Sequence, residues 1–161
     1  MAHQLDAKLV VANEGSQRRR LEALATELQL EDSVRFRGHL APAALREELA
    51  RAHVYVSAPT TDSLSLSTME AMAVGAFPIV TDLPSQDGWI DHGTNGLRVP
   101  AGDVRALTEA MHTALTNPDL RWRALAQNRV HVATEGDLTK NMLAMERRYY
   151  RLAGRPVATD G

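Results

Sequence analysis

Apolar residues recur along the chain in short alternating or continuous runs, separated by stretches with helical spacing. The run Leu9-Val10-Val11-Ala12 stops at Asn13-Glu14-Gly15, and Leu21, Leu24 and Leu28 follow at helical spacing behind Ser16, a residue suited to cap their helix. Val34-Arg35-Phe36-Arg37 alternates as a short strand ending at Gly38, and Pro42 then opens a helix with Leu45 and Leu49 facing inward. Residues 53–57 read as another strand, 67–74 as a short helix ended by Gly75, and 77–81 as a strand entered through Pro78. A turn-rich stretch, 83–95, is expected to hold one helical turn around Trp89 before a fifth strand at 96–99.

Helices follow from 103 onward. Asp103 is placed to cap one with Val104, Leu107, Met111 and Leu115 on one face, and Asn117-Pro118 breaks it before another at about 119–132. Asp137 is placed to cap the last, whose stripe of Leu138, Met142, Met145, Tyr149 and Leu152 needs somewhere to bury. Strands alternating with helices at this spacing predict an α/β fold, a Rossmann-like doubly wound parallel sheet whose ligands bind beyond the carboxyl ends of the strands. The expected organisation is one domain over 1–154, with a loose tail at 155–161.

Composition narrows the function. The 161 residues suit one domain with a sizeable core, and a formal charge of −2 with scattered basic residues argues against nucleic acid as a partner. Absence of cysteine excludes disulfides, thiolate metal sites and a cysteine nucleophile, and agrees with a reducing cytoplasm. No segment approaches the roughly 20 apolar residues that span a bilayer. No histidine pair has zinc-ligand spacing, so no metal is assigned.

The chemistry concentrates in 57–75, which follows a strand and opens a helix. Asp62 and Glu70, separated by the seven residues 63–69, bring two carboxylates to the ligand edge. Backbone N–H groups at a helix N-terminus hold phosphate well, and carboxylates accept hydrogen bonds from sugar hydroxyls. That division of labour suits a nucleoside diphosphate sugar, provided the carboxylates point at hydroxyls and leave the anion to the amides. Plainer readings stand beside it. Ser67-Thr-Met-Glu70 is also a capping box, and Asp62 after Thr60-Thr61 is also an ordinary Asx turn.

This segment resembles the donor-binding, C-terminal half of retaining glycosyltransferases of family 4 (group 1), which have the GT-B fold. Their donor domain carries Glu, seven residues, Glu, then Ala-Met-Ala-x-Gly-x-Pro and two hydrophobic residues. Glu70-Ala-Met-Ala-Val-Gly-Ala-Phe-Pro-Ile-Val matches with one extra residue before Pro78. Residues 9–15, Val34-x-Phe36-x-Gly38 and Asp91-His-Gly-Thr-Asn-Gly96-Leu-x-Val-Pro100 match further motifs in the right order. The resemblance implies that Glu70 binds the ribose hydroxyls and Asp62 faces the transferred sugar as the catalytic carboxylate. It also implies that Ser63, Leu64, Ser65, Leu66 and Ser67 form the diphosphate loop, that Arg37 and Gly38 sit near the base, and that Gly15 belongs to the family's Gly-x-Gly turn. Three departures stand out. Asp62 replaces Glu, Ser63-Leu64-Ser65 replaces Gly-Phe-Gly, and Asn13 replaces the first glycine of the turn, where asparagine tolerates positive φ.

In the family the donor domain begins with a strand ending in arginine and a loop bearing lysine, and these cations neutralise the leaving diphosphate. Met1 to Ala7 align with the end of the helix after that strand, so the first, central strand is expected to be missing. Three outcomes are open: the strands at Leu9 and His53 pair directly, another chain supplies the strand, or the gene is truncated or split. The implied activity is hexosyl transfer from a UDP- or GDP-sugar to a glycan or lipid-linked acceptor. No cofactor is implied, and the chain is expected to be inactive alone. The alternative is a non-catalytic nucleotide-sugar-binding or partner subunit of a split transferase, joined to a separate N-terminal acceptor-domain chain. The expected location is cytoplasmic, with peripheral contact at the inner face of the membrane.

Overall fold

The computed structural model describes residues 5–63 and 65–155, in two compact units, one ending at Arg51 and the other beginning at Ala52. Residues 156–161 of the expected tail lie outside the described residues.

The first unit is β1 (Leu9–Val11), α1 (Arg18–Glu27), β2 (Val34–Phe36) and α2 (Pro42–Arg51). The two strands pair in parallel, with Leu9 opposite Val34 and Val11 opposite Phe36. The expected Ser16 cap does not form: Arg18 N–H donates to the Gly15 carbonyl at 3.1 Å, and this turn moves the helix boundary to Gln17, which makes no side-chain cap. Asn13 does not use positive φ either. Its Oδ1 accepts the Glu14 amide at 2.8 Å, and Gln29 is the non-glycine residue with positive φ among the described residues. Leu21, Leu24 and Leu28 are exposed, and Ala25 is the buried residue of α1, so the expected apolar stripe is not covered within the described residues.

The second unit is β3 (Val54–Ser57), α3 (Leu66–Val74), β4 (Phe77–Thr81), β5 (Leu97–Val99), α4 (Val104–Thr116), α5 (Pro118–Glu135) and α6 (Leu138–Leu152). Its strands run parallel in the order β3-β4-β5, with Val54 opposite Phe77 and Ile79 opposite Leu97. All five residues of β4 are buried, as the middle strand of a sheet covered on both faces must be. On one face Phe77, Ile79, Leu97 and Val99 pack with Ala114 of α4 and Leu120 and Ala124 of α5. On the other, Val80 meets Met72 of α3 and Ile90, with Trp89 and Val132 alongside. The strands at Leu9 and Val54 therefore belong to different sheets, and the direct pairing offered as one outcome is not adopted.

Local signals explain most helix ends in this unit. Asp103, Asn117 and Asp137 each accept the N–H three residues on, from Ala106, Leu120 and Lys140. Pro118 takes the first position of α5, where its missing N–H costs nothing. The helical turn expected around Trp89 lies at Pro84–Gln86, because Pro84 is already set for a first helical position. α6 has no buried residue, and Leu138 and Leu152 are 74% and 78% exposed, so its stripe is uncovered within the described residues.

Gly75 ends α3 at φ 105°, and a Cβ there would stand 2.7 Å from Leu125 Cδ1. Gly88, with φ 77°, has nothing near an added Cβ. Gly75→Ala is therefore expected to cost about 1–3 kcal/mol in chemical denaturation, and more than Gly88→Ala, because only the former adds a clash to the φ strain.

Candidate functional site

The loop after β3 delivers the sequence motif to the open end of the sheet. Ser65 is the N-cap of α3, in extended conformation, with its Oγ accepting the Thr68 amide at 3.4 Å. The capping box expected from Ser67 is thus displaced by two residues. Thr68 takes the third helical position, and Glu70, two places further in, is out of register for a box. Among the described residues nothing pairs with the Glu70 carboxylate, which stands exposed on the first turns of the helix. Its plain structural reading loses its basis.

Ser67 is bound from two sides. Its Oγ lies 2.7 Å from the Tyr55 hydroxyl and 2.9 Å from Ser65 Oγ. Tyr55, in β3, was not singled out from the sequence, where a tyrosine in a half-buried strand reads as packing. The available signal was its place at the centre of the strand feeding the motif. Thr68, Ala71 and Met72 are buried and seat the helix, while Ser63 and Asp62 are exposed in the loop and Leu66 is 71% exposed. Among the described residues the amides of Leu66 and Ser67 have no acceptor, as expected at a helix start. Leu64, another expected loop residue, lies outside the described residues.

The remaining expected residues, Gly15, Arg37 and Gly38, lie in the first unit. Gly38 adopts φ 68°, and an added Cβ would overlap the Glu14 carboxylate, so glycine is needed there for both backbone and space. Gly15 has neither constraint, with nothing within 4 Å of an added Cβ. Arg37 pairs with Glu48 at 3.0 Å. Arg18 donates to Glu14, Glu22 and the Phe36 carbonyl, and its pKa is raised, first by the hydrogen bond it gives to Glu22. The helix-start arginine thereby locks the turn to β2.

A second organising cation sits in β5. Arg98 reaches Asp82 at 2.6 Å, Asp87 at 2.8 Å and the Leu83 carbonyl at 3.2 Å, gathering the loop after β4. Its pKa is raised chiefly by the hydrogen bond to Asp87, with burial opposing. His92 accepts the Arg98 amide through Nδ1 at 3.0 Å and so serves the same loop. Among the described residues no group of three His, Cys, Asp or Glu is placed to hold a metal, and no helix is long and apolar enough to cross a membrane.

Comparison with known proteins bears on this geometry directly. The model of the family described as glycosyl transferases group 1 matches residues 1–130. The chain belongs to that family. Alpha-monoglucosyldiacylglycerol synthase of Streptococcus pneumoniae is 28% identical over 130 residues, which are 80% of this chain and 29% of that protein. Sucrose-phosphate synthase from Thermosynechococcus elongatus superposes with a TM-score of 0.80 at 27% identity, covering 91% of this chain and 38% of that one. The C-terminal domain of a group 1 glycosyltransferase from Francisella tularensis gives a TM-score of 0.72 at 21% identity, with 81% of this chain and 70% of that domain covered. The group 1 chain therefore has the fold of a GT-B C-terminal half, and it spans less than two fifths of the first two of these proteins.

Ser65→Ala removes the α3 cap and is expected to lower stability by about 0.5–2 kcal/mol in urea unfolding, and Ser67→Ala, which loses the bonds to Tyr55 and Ser65, by a comparable amount.

Proposed function

We propose that the chain is the donor-binding half of a retaining glycosyltransferase that takes a UDP- or GDP-sugar and passes the sugar to a glycan or lipid-linked acceptor. The observation that carries this reading is the unclaimed, exposed carboxylate of Glu70 next to the unfilled amides of Leu66 and Ser67. A diphosphate at those amides meets the positive end of α3, and the ribose hydroxyls one turn away donate to Glu70. Asp62, in the loop before the cap, faces the transferred sugar. With one methylene less than the family's Glu it favours a closer or differently oriented hydroxyl pattern.

In the transfer itself the bond between the sugar's anomeric carbon and the distal phosphate oxygen breaks. The acceptor oxygen bonds to that carbon on the face the diphosphate leaves, and the acceptor's proton passes to the departing phosphate. The chain's contribution is to hold the diphosphate as its charge grows, an electrostatic task suited to fixed amides. The diacylglycerol named for the pneumococcal relative supports a lipid acceptor and peripheral contact with a membrane.

Calorimetric titration of UDP, GDP and uridine tests the reading. The chain is expected to prefer a nucleoside diphosphate over uridine. Glu70→Ala is expected to weaken that binding about tenfold or more, the loss of a hydrogen bond to a charged group, with Glu70→Gln between the two. Unchanged affinity in Glu70→Ala would falsify the ribose assignment.

A further inference from the structure

Between the loop after β4 and α5 lies a cavity of about 350 Å³, within the size range of small-molecule sites. Its wall includes Asp87, Trp89, Asp91, Arg98, Gln127 and His131, and shares no residue with the donor loop at 62–70. The wall is held in shape by buried Asn95. Its Oδ1 accepts the Asp91 amide at 2.7 Å, its Nδ2 donates to the Trp89 carbonyl at 2.9 Å, and its carbonyl accepts Asn128 Nδ2 at 2.9 Å. The Trp89 and His131 rings meet edge to face, with centroids 4.9 Å apart. A preformed cavity needs little reorganisation to take a ligand.

Charge and hydrogen bonding select the ligand's chemistry. The cation in the wall, Arg98, is already shared by Asp82 and Asp87, and Asp91 adds another carboxylate, so a phosphate or carboxylate ligand meets repulsion. Arg98 Nε and His131 Nε2 are buried without a partner, so the protein alone does not complete the wall's hydrogen bonding. The Arg98 Nε–H can only donate, so it demands an accepting atom, which a hydroxyl has and an ammonium lacks. Half-buried Trp89 supplies an apolar plane, and exposed Asp91 and Gln127 supply an acceptor and an amide at the rim.

We propose that this cavity binds a neutral saccharide unit, its C–H face against Trp89 and its hydroxyls on Asp91 and Gln127. Small rotations of Arg98 and His131 bring their unpartnered nitrogens onto further hydroxyls. The site is separate from the donor loop and suits one sugar of a glycan held while the donor is used elsewhere.

The test is saturation-transfer NMR on the full chain with methyl glucoside, methyl galactoside, N-acetylglucosamine and maltose, repeated with saturating UDP. Transfer to at least one sugar is expected with and without UDP. Asp91→Asn and Gln127→Ala, both rim positions, are expected to weaken it about tenfold, one hydrogen bond's worth, while the melting temperature and any UDP affinity stay unchanged. No transfer to any of the sugars, or equal transfer in both variants, overturns the proposal. Loss of transfer on adding UDP or in Glu70→Ala assigns the sugar to the donor loop and overturns it too, as does binding of tetramethylammonium in place of sugar. Failure of UDP to bind bears only on the donor reading.

Discussion

Strand β4, five residues buried on both sides, is the element against which the larger unit is assembled. Phe77 and Ile79 press against α4 and α5, while Val80 on the opposite face meets Met72 of α3. Burying such side chains is worth roughly 1.5–3 kcal/mol each, and the burial also sets positions. Met72 and Ala71 are fully buried here and seat α3, and Glu70 beside them is carried on that seated helix. Gly75 closes the same helix and lets the chain turn directly into β4, so the site's geometry and the core's packing are one constraint.

In the proposed donor site, the start of α3 separates two kinds of recognition that would otherwise conflict. Carboxylates repel a diphosphate, and a helix N-terminus attracts one. Ser65 takes the Thr68 amide internally, Tyr55 and Ser65 occupy the Ser67 hydroxyl, and among the described residues the first two helical amides have no acceptor. Glu70 stands further along the helix, clear of the capping position. The loop after β4 is organised by Arg98 with its two aspartates and by buried Asn95, and together they shape the second cavity.

The smaller unit has a thinner basis. Its sheet has two three-residue strands, and its leucine stripe on α1 stays exposed among the described residues. Polar ties compensate locally: Arg18 joins the β1–α1 turn to the end of β2, and Gly38 lets the Glu14 carboxylate lie against the backbone. The apolar faces of α1 and α6 are both exposed among the described residues.

The periodicities of the chain determined the parallel α/β class, the five strands, the caps at Asp103 and Asp137 and the break at Asn117-Pro118, because these depend on residues within a few positions of one another. The family motif likewise placed Asp62 and Glu70 on the loop and helix after β3. What local pattern does not encode is which of two nearby serines caps a helix, and whether an apolar stripe finds a cover. Ser65 takes the cap, while the Ser67 hydroxyl is held by Tyr55, twelve residues before it, across the strand–helix contact. The leucines of α1 and the stripe of α6 show the correct helical period and no burial, since burial depends on what else is packed nearby. The Arg98 hub and its cavity escaped the sequence for the same reason: its partners at 82, 83 and 87 converge on β5 only once β4 and β5 are paired.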